Sequence, residues 1–145
     1  MTIGRLQSAT PAGQAKLSVT FDDGFQATID FAAIIRERAN LAPLADEDAF
    51  QGVRVSDDGW SVEWPNCGID FGAPQLRRWA DEQSGRTMPA DAFREWMQRN
   101  KLTLDTAAEA LGLSRRTIAY YLSGEQPIPR TVMLATEGFE ARKVA

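Results

Sequence analysis

The chain of 145 residues contains no histidine and a single cysteine, Cys67. Without histidine there is no Ser-His-Asp or Cys-His catalytic pair and no usual general base near neutral pH. One cysteine excludes an intramolecular disulfide and leaves a transition-metal cage without its ordinary ligands; it also points to a reducing, cytoplasmic home. No apolar run approaches the ~20 residues that span a bilayer. The opening Met1-Thr-Ile-Gly-Arg5 lacks the basic-then-apolar pattern of a secretory signal, so neither export nor membrane association is expected. Carboxylates alone remain for acid–base chemistry. These absences favour binding over catalysis, and no enzyme activity, cofactor or metal is expected.

What is present is ordinary globular composition, 43% hydrophobic and 25% charged, rather than that of a disordered tail. The net charge of −4 is unevenly divided. Residues 1–84 carry 7 Lys/Arg against 13 Asp/Glu, a balance of −6, whereas residues 85–145 carry 9 against 7, a balance of +2. Such a division predicts two modules with different partners.

In the first half, Leu17, Val19 and Phe21 alternate with polar residues, and after Asp22-Asp23-Gly24 so do Phe25, Ala27, Ile29 and Phe31. Period-two alternation predicts strands with one buried face, and Gly24 suits the positive φ of a short hairpin loop. The pattern recurs in Val53 and Val55, the Asp57-Asp58-Gly59 break, then Trp60, Val62 and Trp64, with a turn at Pro65–Gly68 and a short strand at Ile69–Phe71. An opening strand is expected around Ile3–Ala9. Helices are expected from Phe31 to Arg38, as one turn at Asp46–Phe50, and over Ala73–Glu82, where Pro74 stands early.

Two features of this half have rival readings. The Asp-Asp-Gly sites could hold a divalent cation, but Asp and Gly are the expected turn residues and no EF-hand spacing follows. Trp60, Trp64 and Trp79 could line a ligand pocket, but Trp60 and Trp64 fall on the alternating apolar face, which predicts core packing. Cys67, in a turn with no Lys beside it, is not expected to be reactive.

The order strand, strand–Asp-Asp-Gly–strand, helix, then Val53-Arg-Val-Ser…Val62-Glu-Trp-Pro-Asn66…Ile69-Asp-Phe71 resembles the small bacterial family DUF2442 over about residues 3–80. The resemblance implies a small α+β domain, and weakly a protein partner.

Gln83–Thr87 reads as a linker. Beyond Pro89 the apolar period changes from two to 3.6. Phe93, Trp96 and Met97 share one helix face. Thr103 is placed to cap a second helix, with Asp105 in its first turn and Ala107, Ala108 and Leu111 inward. Gly112 ends that helix and Ser114 caps the next, which carries Ile118, Tyr121 and Leu122 on one side and Arg115, Arg116, Ala119 and Tyr120 on the other. Gly124 stops it. Gln126-Pro-Ile-Pro129 precedes a fourth helix bearing Val132, Ala135 and Phe139. Helix, Gly turn, and a helix opening on a capping Ser with two outward arginines is the arrangement a DNA-reading helix-turn-helix needs.

The segment Leu104–Gly124 resembles the lambda-repressor-like family, with Ala108, Gly112, Leu113, Ser114, Ile118 and Gly124 at the expected positions; the resemblance extends over about residues 88–141. Tyr121 departs from it, standing where the family usually has an aliphatic residue. Four helices are readable where the family commonly has five. Residue by residue, the resemblance implies that Ser114, Arg115, Arg116, Thr117 and Tyr120 face DNA and that Thr103 is a phosphate-facing cap.

The expectation is therefore an α+β domain of antiparallel hairpins plus helices (residues 1–82), a linker (83–87), and an all-α helix-turn-helix domain (88–145). The expected role is a cytoplasmic, bacterial, dimeric transcriptional regulator, a repressor, on double-stranded DNA. Its acidic N-terminal domain would serve a ligand, a protein partner or self-association. The rival is a protein-interaction module, antitoxin-like, that neutralises a partner. Leu76 and Trp79, or a second subunit, are expected to cover the edge of the helical core left by the missing fifth helix. A +2 module should bind non-specific DNA only modestly.

Overall fold

The computed structural model describes residues 4–144, and Ile3, expected to open the first strand, lies outside them. The chain divides into two compact units between Gln83 and Ser84.

The first unit is built from two antiparallel sheets. Strands β1 (Leu6–Pro11), β2 (Lys16–Phe21) and β3 (Gln26–Asp30) form one, in that order. Alternation is obeyed as predicted: Leu17, Val19, Phe21 and Ile29 are buried while their neighbours along the strands are not. Gly24, at φ 90°, makes the β2–β3 turn. Asp23 accepts a hydrogen bond from the Phe25 N–H at 3.0 Å, which together with Arg77 holds its carboxyl below the usual range. Helix α1 (Ala32–Glu37) follows, then a 3-10 segment (Ala39–Ala45) that the sequence pattern did not predict, then the short α2 (Glu47–Phe50).

The second sheet comprises β4 (Arg54–Val55), β5 (Ser61–Trp64) and β6 (Ile69–Gly72), and it leads into α3 (Ala73–Gln83). The Leu6 N–H donates to the Gly59 carbonyl at 2.7 Å, tying the start of β1 to the β4–β5 turn. Asp58 in that turn accepts from the Trp60 N–H and the Ser56 hydroxyl, and both bonds hold its carboxyl below the ordinary range. One carboxylate in each Asp-Asp-Gly site is thus engaged by its own turn.

An aromatic cluster fills the unit. The Phe31 ring lies 5.5–5.9 Å from those of Trp79, Phe50, Trp64 and Phe71, mostly edge to face. Trp64 is 1% exposed, and its indole N–H donates to the Phe50 carbonyl at 2.7 Å. Trp60 differs from expectation. It stands one residue ahead of β5, before the pleat fixes an inward direction, and is 39% exposed, with Arg5 over its ring at 5.3 Å. Leu76 and Trp79 are also corrected: they face the core of this first unit and belong to its cluster.

At the end of α3 the Gln83 side chain accepts from the Asp30 N–H and donates to the Asp30 carbonyl, both at 2.8 Å. The expected linker is shortened from both sides. Gln83 completes α3, and Thr87 opens β7 (Thr87–Met88), whose backbone pairs antiparallel with β8 (Ile128–Pro129).

The second unit otherwise consists of α4 (Ala90–Arg99), α5 (Leu104–Leu111), α6 (Arg115–Ser123) and α7 (Arg130–Val144). Phe93, Trp96, Met97, Ala107, Ala108, Ile118, Tyr121, Ile128 and Val132 make its core. Arg99 of α4 pairs with Glu140 of α7, lowering the carboxyl's pKa, and the Lys143 ammonium donates to Asn100 at 3.3 Å.

Trp64→Ala should cost about 3–5 kcal/mol, since it opens a cavity beneath Phe31 and orphans the Phe50 carbonyl. Denaturant titration followed by circular dichroism would check this.

Candidate nucleic-acid interface

The local sequence assembles the two-helix element one backbone group at a time. The Thr103 hydroxyl accepts from the Thr106 N–H at 3.2 Å, while the Thr106 hydroxyl accepts from the Thr103 N–H at 2.7 Å. This reciprocal capping box fixes the start of α5. At the other end Gly112 takes φ 70° and ψ 31°, a left-handed conformation costly for a residue with a Cβ. The Leu113 N–H then donates to Ala108 O at 2.9 Å and the Gly112 N–H to Glu109 O at 3.4 Å. These two bonds form a Schellman turn. Ser114 begins the next helix, its hydroxyl accepting from the Thr117 N–H at 3.1 Å and lying 2.9 Å from the Thr117 hydroxyl.

Small residues let the helices cross closely. Ala107 and Ala108 are buried, and Ile118 of α6 is fully buried. Tyr121 is 6% exposed and meets the Phe93 ring edge to face at 5.6 Å. Burial pushes its phenol pKa up. An aromatic therefore does the packing at the position where an aliphatic residue was the norm.

The outer face of α6 carries the predicted residues. Arg115 and Arg116 are exposed, and Thr117 and Tyr120 are half-buried. The Arg116 Nε donates to the Tyr120 hydroxyl at 2.7 Å, and the guanidinium lies 5.3 Å from the Tyr120 ring centre. Tyr120 thus holds one edge of the guanidinium and leaves its terminal nitrogens free to grip two acceptors together. Arg115 stands 3.8 Å from Asp105 in the first turn of α5, a loose and exposed pair. Ser114, Arg115, Arg116, Thr117 and Tyr120 therefore gather on the first two turns of one helix. Thr103 lies at the start of the other, its hydroxyl occupied by the cap.

Sequence reasoning missed two contributors. Asp105 was placed only in the first turn of its helix, yet it faces Arg115 across the turn. Arg94 of α4 donates to the Leu122 carbonyl at 3.0 Å and steadies the far end of α6. The 28-residue separation of that pair leaves no local pattern to read.

Comparison with known proteins finds matches to both units. The family model described as "Protein of unknown function (DUF2442)" matches residues 6–82, and the one described as "Helix-turn-helix" matches residues 93–135. The chain is similar to the crystal structure of "Putative DNA Binding Protein NE0471" from Nitrosomonas europaea ATCC 19718. The two share 38% identity and a TM-score of 0.54, over 97% of this chain and 91% of the other. No curated protein matches the chain.

Gly112→Ala should destabilise the second unit by about 1–2 kcal/mol through backbone strain, because open space surrounds the site and no steric contact adds to the cost. Thermal melting of the variant would measure it.

Proposed function

The chain belongs to the DUF2442 family and carries a helix-turn-helix domain after that region, and we infer that it is a DNA-binding transcriptional regulator, a repressor, acting in the cytoplasm as a homodimer. One observation carries the reading. Two exposed arginines open a helix whose direction is fixed by the Gly112 turn, and the second of them is pre-oriented by Tyr120. Dimers of such elements meet half-sites about one helical turn apart, as the two-fold symmetry of the operator requires.

The two arginines have different tasks. Arg116, with its terminal nitrogens free, suits guanine O6 and N7, a contact worth ~1–3 kcal/mol of discrimination. Arg115, beside the α5 start, suits a phosphate, which positions the protein without specifying sequence. Ser114, Thr117 and the Thr103 end of α5 provide the neighbouring backbone contacts.

DNA recovered by chromatin pull-down of the tagged protein supplies the operator for mobility-shift assays. Arg116→Ala should relax preference at one base pair. Arg115→Ala should weaken all sequences alike and lower the salt slope by about one. The double variant should lose specific binding while circular dichroism shows a native fold; a folded double variant that shifts operator DNA at wild-type concentration defeats the reading. Asp105→Asn removes a carboxylate that competes with phosphate for Arg115, and should tighten binding to every sequence without altering preference.

The antitoxin-like reading draws on the first unit. Its acidic surface displays Trp60 exposed under Arg5, an aromatic of the kind that anchors protein contacts. Co-purification of a stoichiometric partner lost on Trp60→Ala, with no DNA shift at all, would favour it.

A further inference from the structure

A groove of about 660 Å³ opens on the second unit between the end of α5 and the last turns of α7. It is open to solvent: Phe139 is half-buried and the other lining residues are exposed. Ala110, Ala135, Gly138 and Phe139 form its apolar part, and Arg142 and Lys143 stand at one end. None of these six lining residues is acidic.

Two positive charges meet at that end, and Glu140, the nearest acid along the helix, answers Lys143 only in part because it is also bonded to Arg99. Lys143 donates to the neutral Asn100 side chain, and Arg142 makes no ion pair among the described residues. Both cations stand in the last turn of α7, where they also offset the helix dipole. Behind the apolar wall, the Trp96 ring meets Phe139 edge to face at 5.6 Å. Trp96 is 1% exposed, and its indole N–H has no acceptor among the described residues. The groove thus offers an apolar bed with two cations at one end.

We propose that this groove binds a small organic acid, a carboxylate with an apolar body, which lays its chain over Ala135, Gly138 and Phe139 and its headgroup against Arg142 and Lys143. A Cβ at Gly138 would meet nothing within 4 Å, so the bed has room there for a larger side chain. Ala110, two residues before Gly112, forms the facing wall, so the occupant touches the helix that leads into the turn.

The test uses the full chain and octanoate, with 1-octanol as the uncharged control, in calorimetric titrations. Octanoate should bind about tenfold more tightly, the value of one charge-assisted contact. Arg142→Gln with Lys143→Gln should bring octanoate down to the level of octanol. Gly138→Leu should lose both ligands while the helix, relieved of a glycine, stays folded by circular dichroism. Ala135→Leu fills the same bed and replaces that variant if it does not fold. Equal binding of octanoate and octanol, or undiminished octanoate binding with the bed filled by leucine, overturns the proposal. So does sedimentation showing that wild-type dimers fall apart on Gly138→Leu, because the groove is then a subunit interface. Octanoate binding is read without DNA, so this result stands apart from that of the mobility shifts.

Discussion

The hydrogen bond from the Leu113 N–H to the Ala108 carbonyl sets what the second unit can present. It closes the left-handed turn at Gly112 and so fixes the angle at which α6 leaves α5. With that angle set, Ile118 and Tyr121 enter the core and Arg115 and Arg116 cannot follow them, because side chains on one helix share its rotation. The caps at Thr103 and Ser114 satisfy the N–H groups that each helix start would otherwise leave bare. The carbonyl of Leu122, near the other end of α6, is met by Arg94. The exposed face is therefore a consequence of how the buried face is held.

Legibility followed the range of the interactions. The strands around Asp22–Gly24 and Asp57–Gly59, the caps, Gly112 and the inward stripe of α5 all depend on residues within four positions of each other, and the sequence displays them directly. Trp60 shows the limit of that logic. It shares the parity of Val62 and Trp64 and its carbonyl still accepts from the Ala73 N–H at 2.7 Å, but it stands at the turn end of the sheet, where Arg5 rather than the core covers its ring. The 3-10 segment at Ala39–Ala45 buries Leu41 and Leu44 without either period. The site residues were legible as a set on one helix face. The Arg116–Tyr120 contact was within reach, since residues four apart on a helix are neighbours. Arg94 over Leu122 and Thr87 opposite Pro129 were not, because only the folded chain brings them together.

The two units differ in the material of their cores as well as in charge. The first gathers its aromatic edges about Phe31, and the second adds to its own ring contacts the small Ala107 and Ala108, which permit close helix crossing. Acidic character in the first unit keeps it from competing for a polyanion, which leaves the basic face of α6 as the better electrostatic match.

Gln83 has a consequence for how this protein behaves in a crowded solution. Its amide offers Asp30 one donor and one acceptor in the spacing a neighbouring strand would use, so β3 meets an imitation of a strand at the place where it is most open to a real one. On the opposite side of the same sheet, Pro11 ends β1 without an N–H to share. A foreign strand seeking to extend the sheet finds Asp30 already engaged at one edge and Pro11 short of a donor at the other. Both features disfavour the edge pairing by which small sheets polymerise.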